Sequence, residues 1–231
     1  MLRALLGERH GGHPENLVRR LRDLKTILDE MSAPEAFRSF FGGTADWMDG
    51  RVTDVDHVGF IGPYGIAPES VANAVVEAGF SDDPRIFPSR IVARELGALT
   101  GVPSLPTTVV MAYGETRDQR RVGLEIFLPD ANEDLVRGWV DRGVSSHLAF
   151  TVSDRDAFRD SKCILEERDF RVPAFKRDDP LTVLPWEDGA KFLTMYLDRR
   201  DEERSRIELC CVVDRVTPSL FPKRPTEPPT K

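Results

Sequence analysis

The feature that most constrains this chain is an ordered repeat. A histidine opens a strand-like segment in DHVGF, and a glutamate sits inside the apolar segment GLEIF. The same order then returns in SHLAF and RIELC. The histidines are His57 and His147, the glutamates Glu125 and Glu208, and the two copies stand 90 and 83 residues apart. Self-similarity of this kind marks one structural unit used twice, and it decides the fold before any single segment does.

Within the first copy, TDVDHVGFIG reads as a strand and PESVANAVVEAGF as a helix. Three extended segments follow, around 86–95, 107–113 and 121–128, the last rich in strand formers. In the second copy SSHLAFTV reads as a strand and DRDAFRDSKCILEERDF as a helix, and segments near 181–185, 191–197 and 205–213 read as strands. Each copy is therefore β-α-β-β-β. The expected class is α+β, with two βαβββ modules over 52–130 and 145–213 joined by a linker helix over 131–144 that Gly143 ends.

Residues 1–51 form a helical arm in this reading. PENLVRRLRDLKTILDEM carries leucines at helical spacing, and in SAPEAFRSFF Ser32 is the N-cap, Pro34 and Glu35 fill the first turn, and Gly42-Gly43 is the stop. The basic cluster Arg19, Arg20, Arg22 and Lys25 reads as a solvated helix face. The arm is a candidate packing surface for a partner subunit, hence for a homodimer. The Pro-rich stretch 214–231 reads as a disordered or draped tail.

Composition narrows the function classes. A formal net charge of -7 and a pI near 5.3 argue against a nucleic-acid partner, which wants a basic face. No run approaches the roughly 18 apolar residues of a membrane span, and the start lacks a secretory h-region, so a cytoplasmic protein is expected. Cys163, Cys210 and Cys211 are too few and too oddly placed for a disulfide framework, and no CxxC exists for zinc. Cys210 and Cys211 lie in an apolar strand pattern, where at least one is a small core residue.

A polar residue inside an apolar strand is costly to bury unless it is paired or binds a metal. His57, Glu125, His147 and Glu208 all sit in core-like strands, at matched places of the repeat. If the two modules form one cleft, two imidazoles and two carboxylates meet. That set suits Zn, Ni, Fe(II), Mn or Co, with positions left for water and substrate. Arg90, Thr107, Thr108, Tyr113 and Lys191 are candidates to line the cleft and orient substrate hydroxyls or a phosphate.

The four motifs, in this order over residues 52–213, resemble the vicinal oxygen chelate superfamily, which includes glyoxalase I, methylmalonyl-CoA epimerase and the extradiol dioxygenases. The resemblance implies a glyoxalase-like fold whose paired modules cup a metal held by His57, Glu125, His147 and Glu208. The His-Glu-His-Glu order is similar to glyoxalase I, whereas methylmalonyl-CoA epimerase usually has Gln where this chain has Glu125. His147 is the only histidine after His57, which weakens ring-cleaving dioxygenase chemistry. The long segment SDDPRIFPSRIVARELGALTGVPSLP and the helical arm resemble the cyclitol epimerases of the superfamily, such as 2-epi-5-epi-valiolone epimerase. The chemistry expected is proton movement next to a carbonyl of a small polyoxygenated, sugar- or cyclitol-like substrate through an enediolate, with Glu125 or Glu208 as base. The rivals are an Fe(II)-dependent dioxygenase and a non-catalytic small-molecule binder on the same fold.

Overall fold

The structure is a computed structural model and describes residues 14–80, 83–117, 119–171, 192–199 and 206–212. Helix α1 (Pro14–Glu30) and helix α2 (Ala33–Phe41) come first. Leu17, Leu21, Leu24 and Leu28 recur every three or four residues, so they share one face of α1, and all four are buried. Leu21 and Leu24 are fully enclosed, and each contributes roughly 1.5–3 kcal/mol by leaving water. Between α1 and α2 the Ser32 backbone N–H donates to the Glu35 carboxylate at 2.9 Å, as the cap in the sequence predicts. Gly42, with φ of 72°, ends α2.

Strand β1 (Val52–Ile61), helix α3 (Pro68–Glu77), strand β2 (Arg85–Pro88), helix α4 (Arg90–Thr100), strand β3 (Thr107–Glu115) and strand β4 (Arg121–Pro129) build the first half. Helix α5 (Glu133–Asp141), N-capped by the Asn132 side chain, connects it to the second. Strand β5 (His147–Val152), helix α6 (Arg155–Glu167) and strands β6 (Phe170–Arg171), β7 (Phe192–Arg199) and β8 (Arg206–Val212) complete that half. The eight strands among the described residues lie in one sheet, in the order β2-β3-β4-β1-β5-β8-β7-β6. Counted outward from the seam, each half runs first strand, fourth, third, second. In each half the first and fourth strands are parallel and the rest antiparallel, and β1 meets β5 antiparallel at the seam. The fold is α+β, and the repeat in the sequence is a repeat in the sheet.

One face of the sheet carries Val58, Phe60, Leu124, Ile126, Leu148, Phe150, Ile207 and Leu209, packed in a single core with α1, α2, α3 and α6. The other face is partly covered by α4 and α5. Val92 and Leu96 of α4 and Val136 and Trp139 of α5 close over Ile61, Val109 and Phe127. Strand alternation assigns each side chain to a face, so the second face keeps its polar residues in the space α4 and α5 leave.

Three expectations change. The segment 86–95 is not one strand: pairing with β3 stops at Pro88, Ser89 caps a helix by accepting from the Val92 N–H at 3.4 Å, and α4 runs on to Gly101, whose φ is 76°. Val92, Ala93 and Leu96 bury at helical spacing, and the apolar content of that stretch belongs to a helix face. The helical arm buries its leucines in its own core, and Arg22 of α1 pairs with Glu77 of α3 at 3.2 Å. That apolar face is therefore not offered to a partner subunit. Arg20 also leaves the solvated face assigned to it: it is buried, with its guanidinium 4.7 Å from the Phe60 ring centroid. The strand expected near 181–185 and the tail over 214–231 lie outside the described residues. No helix among the described residues is long and apolar enough to cross a membrane.

Candidate metal centre

Register brings the four repeat residues together. In the first half Gly59, two residues past His57, pairs with Glu125; in the second Ala149, two residues past His147, pairs with Glu208. Across the seam His57 faces Ala149 and Gly59 faces His147. Period-two alternation then puts both histidines and both glutamates on the same face, on four adjacent strands. The glycine of HVGF has a specific role there. A Cβ on Gly59 would stand 2.0 Å from His147 Cε1, so the imidazole occupies the volume that any other residue would fill.

The side chains converge. His57 Nε2 and His147 Nε2 are 3.0 Å apart. Glu208 Oε2 lies 3.3 Å from the first and 3.6 Å from the second, and Glu125 Oε2 lies 4.0 and 3.7 Å from them. Donors held about 2.1 Å from a common cation stand about 3.0 Å apart at right angles and about 3.4 Å apart at the tetrahedral angle. The separations among His57, His147 and Glu208, 3.0–3.6 Å, fall in and slightly beyond that range, and Glu125 stands further out at 3.7 and 4.0 Å. The second nitrogen of each ring is engaged: Asp56 accepts from His57 Nδ1–H at 2.7 Å, and the Ser145 carbonyl accepts from His147 Nδ1–H at 3.0 Å. Both rings thereby turn Nε2 inward, where it is a ligand once it carries no proton, the outer arrangement typical of metal-binding histidines. Two imidazole nitrogens and two carboxylates facing one another at these distances repel unless a positive charge lies among them, either a proton on His57 or a divalent cation in its place, which this donor set fits.

The electrostatics agree. Burial opposes a charge on His57, but the Glu208 and Glu125 carboxylates, aided by Asp56, raise its pKa well above the ordinary value. Burial, followed by the charge on His57, pushes His147 down to about 4. Glu208 is held from its outer side as well. Tyr196, opposite it on β7, hydrogen-bonds its carboxylate, and the Cys210 thiol donates to its Oε1 at 3.7 Å. Burial and the neighbouring carboxylate push both groups' pKa values up, so each keeps its proton and acts as a donor. Glu125 is more open, with a side chain 18% exposed against 6% for Glu208.

A buried ion network stands behind His147. Arg206, its register partner on β8, makes two hydrogen bonds to Glu95 of α4, at 2.8 and 2.9 Å, and one to Asp198 of β7 at 2.7 Å. Ser145 Oγ donates to Glu95 at 2.8 Å. Helix α4 of the first half is thus tied to the second, within two residues of His147.

Of the further candidates, Tyr113 and Thr107 share this face by alternation along β3, with Thr107 at the far end of the strand from Tyr113. Arg90, Thr107 and Thr108, with Ser89, Arg94 and Asp130, line a separate cleft of about 810 Å³ at the start of β3, and none of the four convergent residues belongs to it. Lys191 is outside the described residues. Sequence reading missed Asp56, Ser145, Tyr196, Glu95 and Arg206, and took Cys210 only as a core residue. Asp56 is instructive. Val55 pairs with Phe150 and His57 with Ala149, so Asp56 is an extra residue at a bulge, which brings it beside His57. No periodicity announces a bulge.

No family model matches the chain, and no curated protein matches it by sequence. Two solved structures similar to it are variants of Streptomyces coelicolor methylmalonyl-CoA epimerase in complex with 2-nitronate-propionyl-CoA. Each is 17% identical and covers 71% of this chain and 99% of that chain, with TM-scores of 0.38 and 0.39. At such scores the overlap is partial, and the functional reading rests on this chain's own residues.

Proposed function

We propose that this chain is a divalent-metal-dependent isomerase or epimerase of the vicinal oxygen chelate type, which moves a proton next to a carbonyl of a small polyoxygenated, sugar- or cyclitol-like substrate. The observation that carries this reading is the convergence of His57, Glu125, His147 and Glu208 about one point. In it, the same four residues hold the metal. When bound, a divalent cation supplies Lewis-acid polarisation of a carbonyl and offsets the negative charge that develops as the adjacent C–H proton leaves.

The protein groups divide the remaining work. Asp56 and Ser145 hold the two imidazoles in one orientation. Tyr196 and Cys210 fix Glu208, which makes it the anchored carboxylate of the pair. Glu125, the more exposed carboxylate, is the base: it takes the proton from carbon and returns it to the other face, giving epimerisation, or to the neighbouring carbon, giving isomerisation. A general base contributes roughly 10²- to 10⁴-fold.

Elemental analysis of the purified protein tests the centre. One equivalent of a divalent metal is expected, and its loss is expected in His57→Ala and in His147→Ala. Full metal content in both variants rules the four-residue centre out. Glu125→Gln separates the roles: metal stays bound while exchange of the substrate's proton into deuterated solvent stops.

A further inference from the structure

On β4 the residues Arg121, Gly123 and Glu125 alternate onto the face of the metal centre. Tyr113 is the register partner of Gly123 on β3. A Cβ on Gly123 would lie 2.7 Å from His57 Cβ and 3.1 Å from Tyr113 Cε1, so both side chains close over Gly123 in space that only glycine leaves. Arg121 lies over that ring, its guanidinium carbon 3.9 Å from the centroid. Among the described residues Arg121 makes no hydrogen bond and no ion pair, although Glu115 stands opposite it on β3. Its planar fork of N–H donors is therefore held in place by stacking while its hydrogen-bonding edge is unmatched.

Charge balance says what that edge is for. Two glutamates neutralise a dication, and Asp56, hydrogen-bonded to a His57 that is neutral when it holds the metal, leaves one negative charge, so the centre itself does not attract an anion. The side chain of Arg85, which pairs with Met111 and so stands in the row leading to Glu125, adds a second positive charge on the same face. We propose that the substrate carries an acid group, a carboxylate or a phosphate, and that Arg121 stacked on Tyr113 receives it in a bidentate hydrogen bond. This rests on the metal-dependent reading above. Tyr113, Gly123 and His57 are neighbours on three adjacent strands, each about 5 Å from the next, which puts the acid group about 5–10 Å from the metal ligands. A substrate of a few carbons spans that distance.

Chelating hydroxamates, whose paired oxygens mimic those of an enediolate, test the inference by calorimetry on the metal-loaded protein. The probes are neutral acetohydroxamate, succinate monohydroxamate and phosphonoacetohydroxamate. One or both acidic probes are expected to bind about 10- to 100-fold more tightly than the neutral one, and which of them does so distinguishes carboxylate from phosphate. Arg121→Gln is expected to erase that preference and leave acetohydroxamate affinity unchanged; the latter also shows that the variant is folded. Equal affinity for all three probes, or a preference that survives in Arg121→Gln, overturns the acid-group inference and leaves the metal centre standing. Absence of metal-dependent binding by any hydroxamate overturns the metal reading and this inference with it.

Discussion

The Glu95–Arg206 pair offers the most quantitative test of how the centre is supported. Their side chains are 8% and 3% exposed, so solvent does little to screen them. Removing one partner of a buried pair costs about 3–5 kcal/mol, chiefly because a charge is left without compensation. The structure ranks the two removals. Glu95→Ala leaves Arg206 bound to Asp198 at 2.7 Å and falls near the lower end, about 3 kcal/mol. Arg206→Met takes from the buried Glu95 its paired cation and its two hydrogen bonds from that guanidinium, and also removes the bond to Asp198, so it falls near the upper end, about 5 kcal/mol. For a domain stable by about 5–15 kcal/mol these are large losses. Urea unfolding followed by circular dichroism reads them, with the m-value checking that the transition stays two-state. A loss below about 1 kcal/mol in Arg206→Met, or a larger loss in Glu95→Ala than in Arg206→Met, refutes the reasoning, because either means that the charges are not desolvated as described.

Other outcomes follow from the same geometry. Gly59→Ala places a Cβ where His147 Cε1 stands, so metal content is expected to fall sharply while the folded circular dichroism spectrum persists; normal metal content contradicts the packing described. Asp56→Asn weakens the partner of His57 Nδ1 and is expected to lower metal affinity about 10- to 100-fold in competition with a chelator, whereas unchanged affinity removes Asp56 from the centre. Because the folded pKa of His57 is raised, its pairing with the carboxylates in metal-free protein is fully present below the unfolded value, about 6.5, and is lost as pH rises through the folded one. A metal takes the place of that proton. Binding at neutral pH is expected to release it and to tighten as pH rises; calorimetric heats that do not vary with the buffer's ionisation enthalpy count against this.

The repeat was readable because it is written in residues whose burial needs an explanation. Two histidines and two glutamates at matched places in apolar strands predict convergence, and the sheet register delivers it. What stayed hidden depends on information that a period cannot carry. The helical character of α4 was masked because its first residues continue the extended segment that ends at Pro88. The bulge at Asp56 breaks the alternation on which strand reading relies. The Glu95–Arg206 bond joins residues 111 apart in sequence, and each alone reads as an ordinary charged position. Arg90, Thr107 and Thr108, expected beside the four ligands with Tyr113 and Lys191, line a separate cleft, because sequence gives neither the place of Arg90 on α4 nor the distance of the two threonines from Glu125.

The seam between β1 and β5 has a consequence for ancestry. Residues trade places across it, His57 with Ala149 and Gly59 with His147, so an approximate two-fold axis passes through the quartet and each repeat donates one imidazole and one carboxylate. A lone copy of either repeat holds half a cage. Two identical copies of a single repeat, related by that axis, would assemble the whole of it, and fusing them into one polypeptide frees each half to diverge where the other does not.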